Sequence, residues 1–255
     1  NPNSTESLGS RPTRGGAPMA SGEVIADLDI KESSVLRRYM DLPKLLDLLH
    51  HRVLYLRRAD GFADRLEGAL FPSLRTLIDE AHARGAIPYD ADHFYRRARV
   101  GNYVSCWTNS AKDSMALWQL YGGVSNSVVV TTTVGRLVRL AIRWNRLVRI
   151  HRVKYVDHTK IRNYLVGPYT DVLKFKHEAY RHEKELRVLV SQQDGDWESN
   201  PIGLRLPVLD PDALVRSVVV APEAGAEYYE AIKGLCAKYG LRAPVRRSKL
   251  AFVPV

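Results

Sequence analysis

Short β-branched and aromatic runs, separated by polar and glycine-containing stretches, set the predicted elements of this chain. Val35-Leu36-Arg37-Arg38-Tyr39 reads as a strand, and Pro43 opens a helix through Leu49 with leucines on one face. Arg52-Val53-Leu54-Tyr55-Leu56 alternates as a second strand, Gly61 to Gly68 is a loop, and helices are expected over residues 73–84 and 91–99. Asn102 to Thr108 is a strand with a polar end. Ser114 to Tyr121 forms a short helix carrying Met115, Leu117, Trp118 and Tyr121, and Gly122-Gly123 stops it. Ser127–Thr133 is a strand by its β-branching, Arg136–Asn145 a basic helix and Val148–Val156 the next strand. Helical sequence from about Lys160 to Arg181 leads into a strand at Glu183–Val190. A strand at Ser217–Val220, a helix at Tyr228–Tyr239 and a closing strand near Lys249–Val253 follow. No repeat is visible. The expectation is one α+β domain over residues 25–255, with mostly non-sequential strand pairing.

Composition changes that picture at one end. Residues 1–24 are rich in Asn, Ser, Gly, Pro and Arg, with almost no apolar content, and read as a disordered arm or linker. A start at Asn1 rather than Met is expected of a piece of a longer delivery protein, or of a tag remnant. No apolar run reaches the length of a membrane span and no signal peptide is seen, so the expected place of action is the cytoplasm of a host or target cell. Two cysteines, Cys106 and Cys236, exclude a disulfide framework and a cysteine-only zinc site, and no histidine sits in a metal-ligand spacing. The net charge of +10 favours an anionic partner: a nucleic acid, a phosphate-bearing substrate or an acidic immunity protein.

The candidate chemistry centres on His182-Glu183-Lys184-Glu185-Leu186-Arg187-Val188-Leu189-Val190. In a strand, residues i and i+2 share a face, so Glu183 and Glu185 emerge together at the start of a buried strand. A carboxylate pair held that way lets one member orient or deprotonate a nucleophile while the other stabilises positive charge. The plainer alternative is a solvated stretch of scattered charges. The same balance applies elsewhere: Trp107, Trp118 and Tyr121 also read as core, Asp64 and Glu67 as stabilisers of a helix start, and Cys106 as a small buried hydrophobe with no His or Asn partner.

Three places then line up: Arg38-Tyr39 ending the first strand, Ser105 to Thr108, and Glu183 with Glu185. In that order they resemble the signature of the arginine–serine–glutamate ADP-ribosyltransferases, most closely in Glu-Lys-Glu-Leu-Arg-Val-Leu. A second resemblance runs from about residue 35 to 221. Arg38-Tyr39, Phe62-Ala63-Asp64 with Glu67-Gly68, Val104 to Thr108, Met115-Ala116-Leu117-Trp118 with Tyr121-Gly122, and Glu183 to Arg187 look like a bacterial domain family of unknown function found near phage-defence and toxin genes. That family in turn looks like a divergent branch of the ADP-ribosyltransferase fold.

The resemblance implies a split mixed or antiparallel sheet with peripheral helices, NAD as substrate and no metal. It assigns Glu185 to the ribose and its developing charge, and Glu183 to the acceptor. Arg38 would hold the pyrophosphate, with Arg37 an equal candidate by sequence. Ser105 would brace Glu185 or the ribose, while Tyr39, Trp107, Trp118 and Tyr121 offer faces for nicotinamide or adenine. One departure stands out: Ser105 is followed by Cys106 and Trp107, where the family usually has flanking hydroxyls. The resemblance implies an arginine-bearing protein as acceptor, while the positive charge raises RNA as the other, docked on Arg136, Arg139, Arg143, Arg146, Arg149 and Arg152 where their spacing puts them on one helix face. Two other classes compete. A metal-dependent nuclease of a phage-defence system would use Asp64, Glu67, Glu183 and Glu185 as Mg²⁺ ligands, and a nucleic-acid-binding module would use none of these carboxylates catalytically.

Overall fold

The strand at Glu185–Ser191 is paired antiparallel on both sides, and every residue in it but Ser191 is buried. A strand walled in by two neighbours and covered on both faces needs an apolar, β-branched run, which Leu186 to Val190 supplies. The computed structural model describes residues 22–64, 66–160 and 168–251. In chain order the described elements are β1 (Val24–Ala26), β2 (Val35–Asp41), α1 (Leu42–Leu49), β3 (Val53–Arg58), α2 (Pro72–Ala83), α3 (Ala91–Val100), β4 (Asn102–Asn109), α4 (Met115–Tyr121), β5 (Ser127–Thr133) and α5 (Val134–Ile142). Then come β6 (Val148–Arg152), β7 (Lys154–Val156), β8 (Phe175–His177), β9 (Glu185–Ser191), β10 (Gly203–Pro207), α6 (Pro211–Leu214), β11 (Ser217–Val220), α7 (Ala226–Lys238) and β12 (Val245–Arg247).

The large sheet runs β1-β6-β9-β4-β2-β5-β11-β12, so its neighbours are mostly distant in sequence, as expected. It is mixed: β1 with β6 and β11 with β12 are parallel, and the other pairs are antiparallel. Along β4 and β9 the side chains alternate between two cores. Tyr103, Trp107, Leu186, Val188 and Val190 join one, and Val104 and Leu189 join the other with Phe71, Leu173 and Phe175.

The sheet forks at β4. Its C-terminal end pairs with β2 through Thr108 and Asn109, while its N-terminal end pairs with β3 through Tyr103 and Val104. Between those registers β2 and β3 diverge, and β3 continues into pairing with β10. Arg38 ties the two prongs together by donating from its guanidinium to the Tyr55 carbonyl at 2.8 Å.

Several expectations change. The stretch expected to be helical from Lys160 to Arg181 holds two 3₁₀ turns, Asp171–Lys174 and Glu178–Glu183, around β8, and its residues 161–167 lie outside the described residues. Burial of Val172, Leu173 and Phe175, with parallel pairing of β8 to β7, overrides the local helical pattern. The strand expected over Val148–Val156 divides at Val153, because β6 pairs with β9 while β7 turns away to β8. The basic helix stops at Ile142, so Arg149 and Arg152 lie in β6 and the six arginines do not share one helix face. Arg136 instead caps α6 through the carbonyls of Asp212 and Val215. The closing strand lies at Val245–Arg247 rather than 249–253, and residues 252–255 are outside the described residues, as are 1–21 of the expected arm. β1 and β10 were not anticipated.

Lys184 sets the direction in which the chain enters β9. It lies in the left-handed region, φ 47° and ψ 49°, between the 3₁₀ turn and the strand. A left-handed residue with a side chain costs on the order of 1–2 kcal/mol, more for a β-branched one. We expect Lys184→Val to lower stability by about that amount in urea unfolding, and Lys184→Gly or Lys184→Asn to preserve it or raise it.

Candidate active site

Cross-strand register builds the first row of the site. Arg37 of β2 is opposite Thr108 of β4, and Thr108 is opposite Glu185 of β9, which places all three on one face of the sheet. Cys106 and Arg187 form the next row. Glu183 reaches the same place from the 3₁₀ turn, by way of the left-handed Lys184 rather than by strand alternation. These side chains open into a cleft of ≈ 270 Å³ lined also by Arg38, Tyr55, Phe62 and Tyr121. A second hollow, ≈ 370 Å³, shares Arg38, Lys44, Tyr55 and Trp107 with it and runs toward α1.

Both carboxylates are 4 % exposed, which makes their partners decisive. The Lys176 ammonium donates to Glu183 Oε2 at 2.5 Å and to Glu185 Oε2 at 3.3 Å. Tyr121 donates its hydroxyl to Glu183 Oε1. Arg187, wholly buried, donates Nε to Glu185 Oε1 at 2.9 Å and Nη2 to Glu185 Oε2 at 3.1 Å. Its other side meets Glu67, through Nη1 to Oε1 and Nη2 to Oε2 at 2.9 Å, and Nη1 also reaches the Leu173 carbonyl at 2.7 Å. All five guanidinium N–H groups are thereby used. The Glu185 backbone N–H donates to Tyr155 Oη at 2.8 Å.

Within this cluster the three carboxylates Glu67, Glu183 and Glu185 are bonded to two cations, Lys176 and Arg187, while Arg37 and Arg38 line the same cleft. Burial works to raise Glu185, but Arg187 and then Lys176 overcome it and hold the carboxyl well below the usual range. Burial pushes Glu67 up against the pull of Arg187. Tyr121 is raised by burial and by its bond to Glu183, Tyr155 is pushed up to about 12 chiefly by burial, and burial drives the Cys106 thiol far up. Cys106 is therefore a neutral neighbour of Glu185 and not a nucleophile.

The residues singled out from sequence are distributed unevenly. Glu183, Glu185 and Tyr121 converge. Arg37 and Arg38 both line the cleft because the fork exposes the two faces of β2, yet they differ in commitment. Arg38 is spent on the Tyr55 carbonyl, lies over Trp107 at 5.7 Å and is lowered by burial. Arg37 donates to the carbonyls of Ser110 and Ala111, and its Nη1 is buried without a partner. Ser105 is not brought to Glu185: it faces the opposite core, across from Val188, and accepts from the Trp107 indole at 3.0 Å. Cys106 and Thr108 hold the places on Glu185's face. Tyr39 packs edge-on against Trp118 at 5.0 Å and accepts from the Ser114 N–H, and Trp118 is fully buried, so its ring is core rather than an open stacking face. Trp107 closes the fork from below and borders both hollows.

The four carboxylates proposed as metal ligands do not form a cage. Lys176 stands between Glu183 and Glu185, Arg187 stands between Glu185 and Glu67, and Asp64 instead caps the Leu66 N–H at 2.9 Å. Sequence reading missed Lys176 and the part played by Arg187 and Glu67. Arg187 was within reach, since it lies two residues past Glu185 on the same strand face. Lys176 gave no signal inside a stretch read as helix.

No family model matches the chain, and no curated protein does. Among solved structures, the DarT of Thermus sp. 2.9 in complex with NAD+ aligns at 11 % identity and a TM-score of 0.42, over 88 % of this chain and 100 % of that one. The same protein with carba-NAD+ gives 11 % and 0.40 over 87 % and 98 %, and with ADP-ribosylated ssDNA 11 % and 0.41 over 87 % and 97 %. Similarity this distant assigns no chemistry to the cleft.

Removing Arg187 leaves buried Glu67 with no bonded cation and Glu183 and Glu185 on one ammonium. Arg187→Met is expected to cost about 3–5 kcal/mol in denaturant unfolding. Arg96→Ala, which breaks a pair with Glu198 on the surface, should cost under about 1 kcal/mol.

Proposed function

We propose that this chain is an NAD-dependent ADP-ribosyltransferase whose acceptor is a nucleic acid. The observation that carries the reading is the buried Glu183–Glu185 pair opening into a two-part cleft on the row Arg37–Thr108–Glu185. In the reaction the bond between ribose C1′ and the nicotinamide nitrogen breaks, and its electron pair leaves with nicotinamide. The ribose becomes oxocarbenium-like. Glu185, held ionised and fixed from behind by Arg187, stabilises that cation at short range in a site of low dielectric. A lone pair of the acceptor forms the new bond to C1′, and the proton it gives up goes to Glu183. Tyr121, half exposed and bonded to Glu183, keeps that carboxylate turned toward the cleft.

Arg37 is the residue we assign to the pyrophosphate in preference to Arg38. It shares a face with Glu185 and has a free buried donor, whereas Arg38 is committed to the fork. The hollow beyond Trp107 would take the adenosine half of the dinucleotide. The net charge of +10 supports a phosphate-bearing acceptor over an arginine-bearing protein. We place the activity in the cytoplasm of a host or target cell, in the role of a toxin or defence effector, with an acidic immunity protein as its natural antagonist.

The test is nicotinamide release and label transfer from adenine-labelled NAD in excess chelator, with RNA, single-stranded DNA and protein offered as acceptors. Wild type should turn over NAD, and Glu185→Gln should lower turnover by about 10²–10³-fold. Glu183→Gln should reduce label transfer more than nicotinamide release. Equal activity of wild type and Glu185→Gln would sink the assignment.

A further inference from the structure

Lys176 comes from β8, outside the Glu-x-Glu strand, and is 7 % exposed. Its ammonium reaches one oxygen of each carboxylate, and its third side lies over the Tyr180 ring at 4.6 Å. Two carboxylates this close and this buried would, unaided, share a proton, because the first charge raises the cost of the second. A shared proton would disable the pair: either the ribose would lose its counter-charge or the acceptor would lose its base. The place between the carboxylates that a divalent cation takes in a metalloenzyme is filled here by a covalently tethered ammonium.

We propose that Lys176 is a positioning residue that holds Glu183 and Glu185 charged at the same time, so that one faces the ribose cation while the other takes the acceptor's proton. The division of roles between the two carboxylates rests on the transferase reading above; the charge-holding by Lys176 does not.

The surroundings leave Lys176 this task. Arg187 reaches Glu185 and Glu67 but not Glu183, so among the described residues no other cation bonds both members of the pair. Tyr121 from α4, Tyr155 from β7 and Cys106 from β4 face the pair, and all three are pushed upward and stay neutral near pH 7. Arg37 lines the open side of the cleft and is bonded to the carbonyls of Ser110 and Ala111. The charge of Lys176 is itself secured: burial would discharge it, but Glu185 and Glu183 outweigh burial and raise it.

The deciding experiment is a carbon-13 titration of the full chain labelled at glutamate Cδ, with the two signals assigned by their loss in Glu183→Gln and Glu185→Gln. It needs no turnover. In wild type both carboxylates should remain charged down to pH about 5, below which ordinary glutamates titrate. Either one titrating above pH about 6 with Lys176 in place overturns the proposal, and that wild-type result stands even if a variant fails to fold. In Lys176→Gln, one of the two signals should move upward by at least about one pH unit, a tenfold gain in proton affinity, and Lys176→Arg should restore it. An unmoved titration in Lys176→Gln, or failure of Lys176→Arg to restore it, also overturns the proposal. With NAD turnover in hand, the acid limb of the pH profile should move upward with the same carboxylate, through kcat rather than KM. If wild type releases no nicotinamide, the transferase reading falls while the titration still decides the role of Lys176.

Discussion

The guanidinium of Arg187 is the group on which the rest of the site depends. It lies wholly inside the protein, and a lone cation there would be untenable. Its five donors are met by Glu185, Glu67 and the Leu173 carbonyl, so each group is tolerable only because the others are present. This one side chain joins β9, the loop before α2 and the 3₁₀ turn before β8. Three segments far apart in sequence are thereby held in a single arrangement, and the Glu185 carboxylate is left with little freedom to rotate. Under the transferase reading proposed above, a carboxylate fixed in this way is preorganised for the charge that develops on the ribose.

The second constraint is the fork. An unbroken β2-β4-β3 edge would leave no room beside Glu185. Because β2 and β3 take opposite ends of β4, Trp107 and Arg38 fill the gap and a cleft forms on either side of them. Arg38 is expended on keeping that gap at a fixed width, through the Tyr55 carbonyl. Its neighbour Arg37 remains to face whatever enters.

Charge balance, more than residue type, decides what the carboxylates can do. The same glutamates with a vacant centre would suit a divalent metal. With Lys176 and Arg187 between them they form closed ion pairs instead of a chelating cage.

Much of this was already legible along the chain. The β-branched runs that became β2, β4, β5, β9 and β11, the leucine face of α1 and the apolar half of α4 are local patterns, and local physics was enough to place them. Arg187 beside Glu185 was legible by two-residue spacing, whereas Glu183 comes near Glu185 from the 3₁₀ turn and not by the strand alternation the sequence suggested. What alternation cannot say is which of two faces meets a cleft. Only the register of β2, β4 and β9 put Arg37 in the row of Glu185 and turned Ser105 to the far core. Nor does a periodic pattern reveal its own exceptions. Lys184 breaks the alternation by entering the left-handed region, and residues 171–183 give up a helix to bury Leu173 and Phe175 and to deliver Lys176 between the carboxylates. Local sequence determined most of the elements and the presence of two glutamates at the entry to β9. Long-range pairing and the cost of burying charge decided what surrounds that pair, because both depend on contacts between segments that the order of residues alone does not bring together.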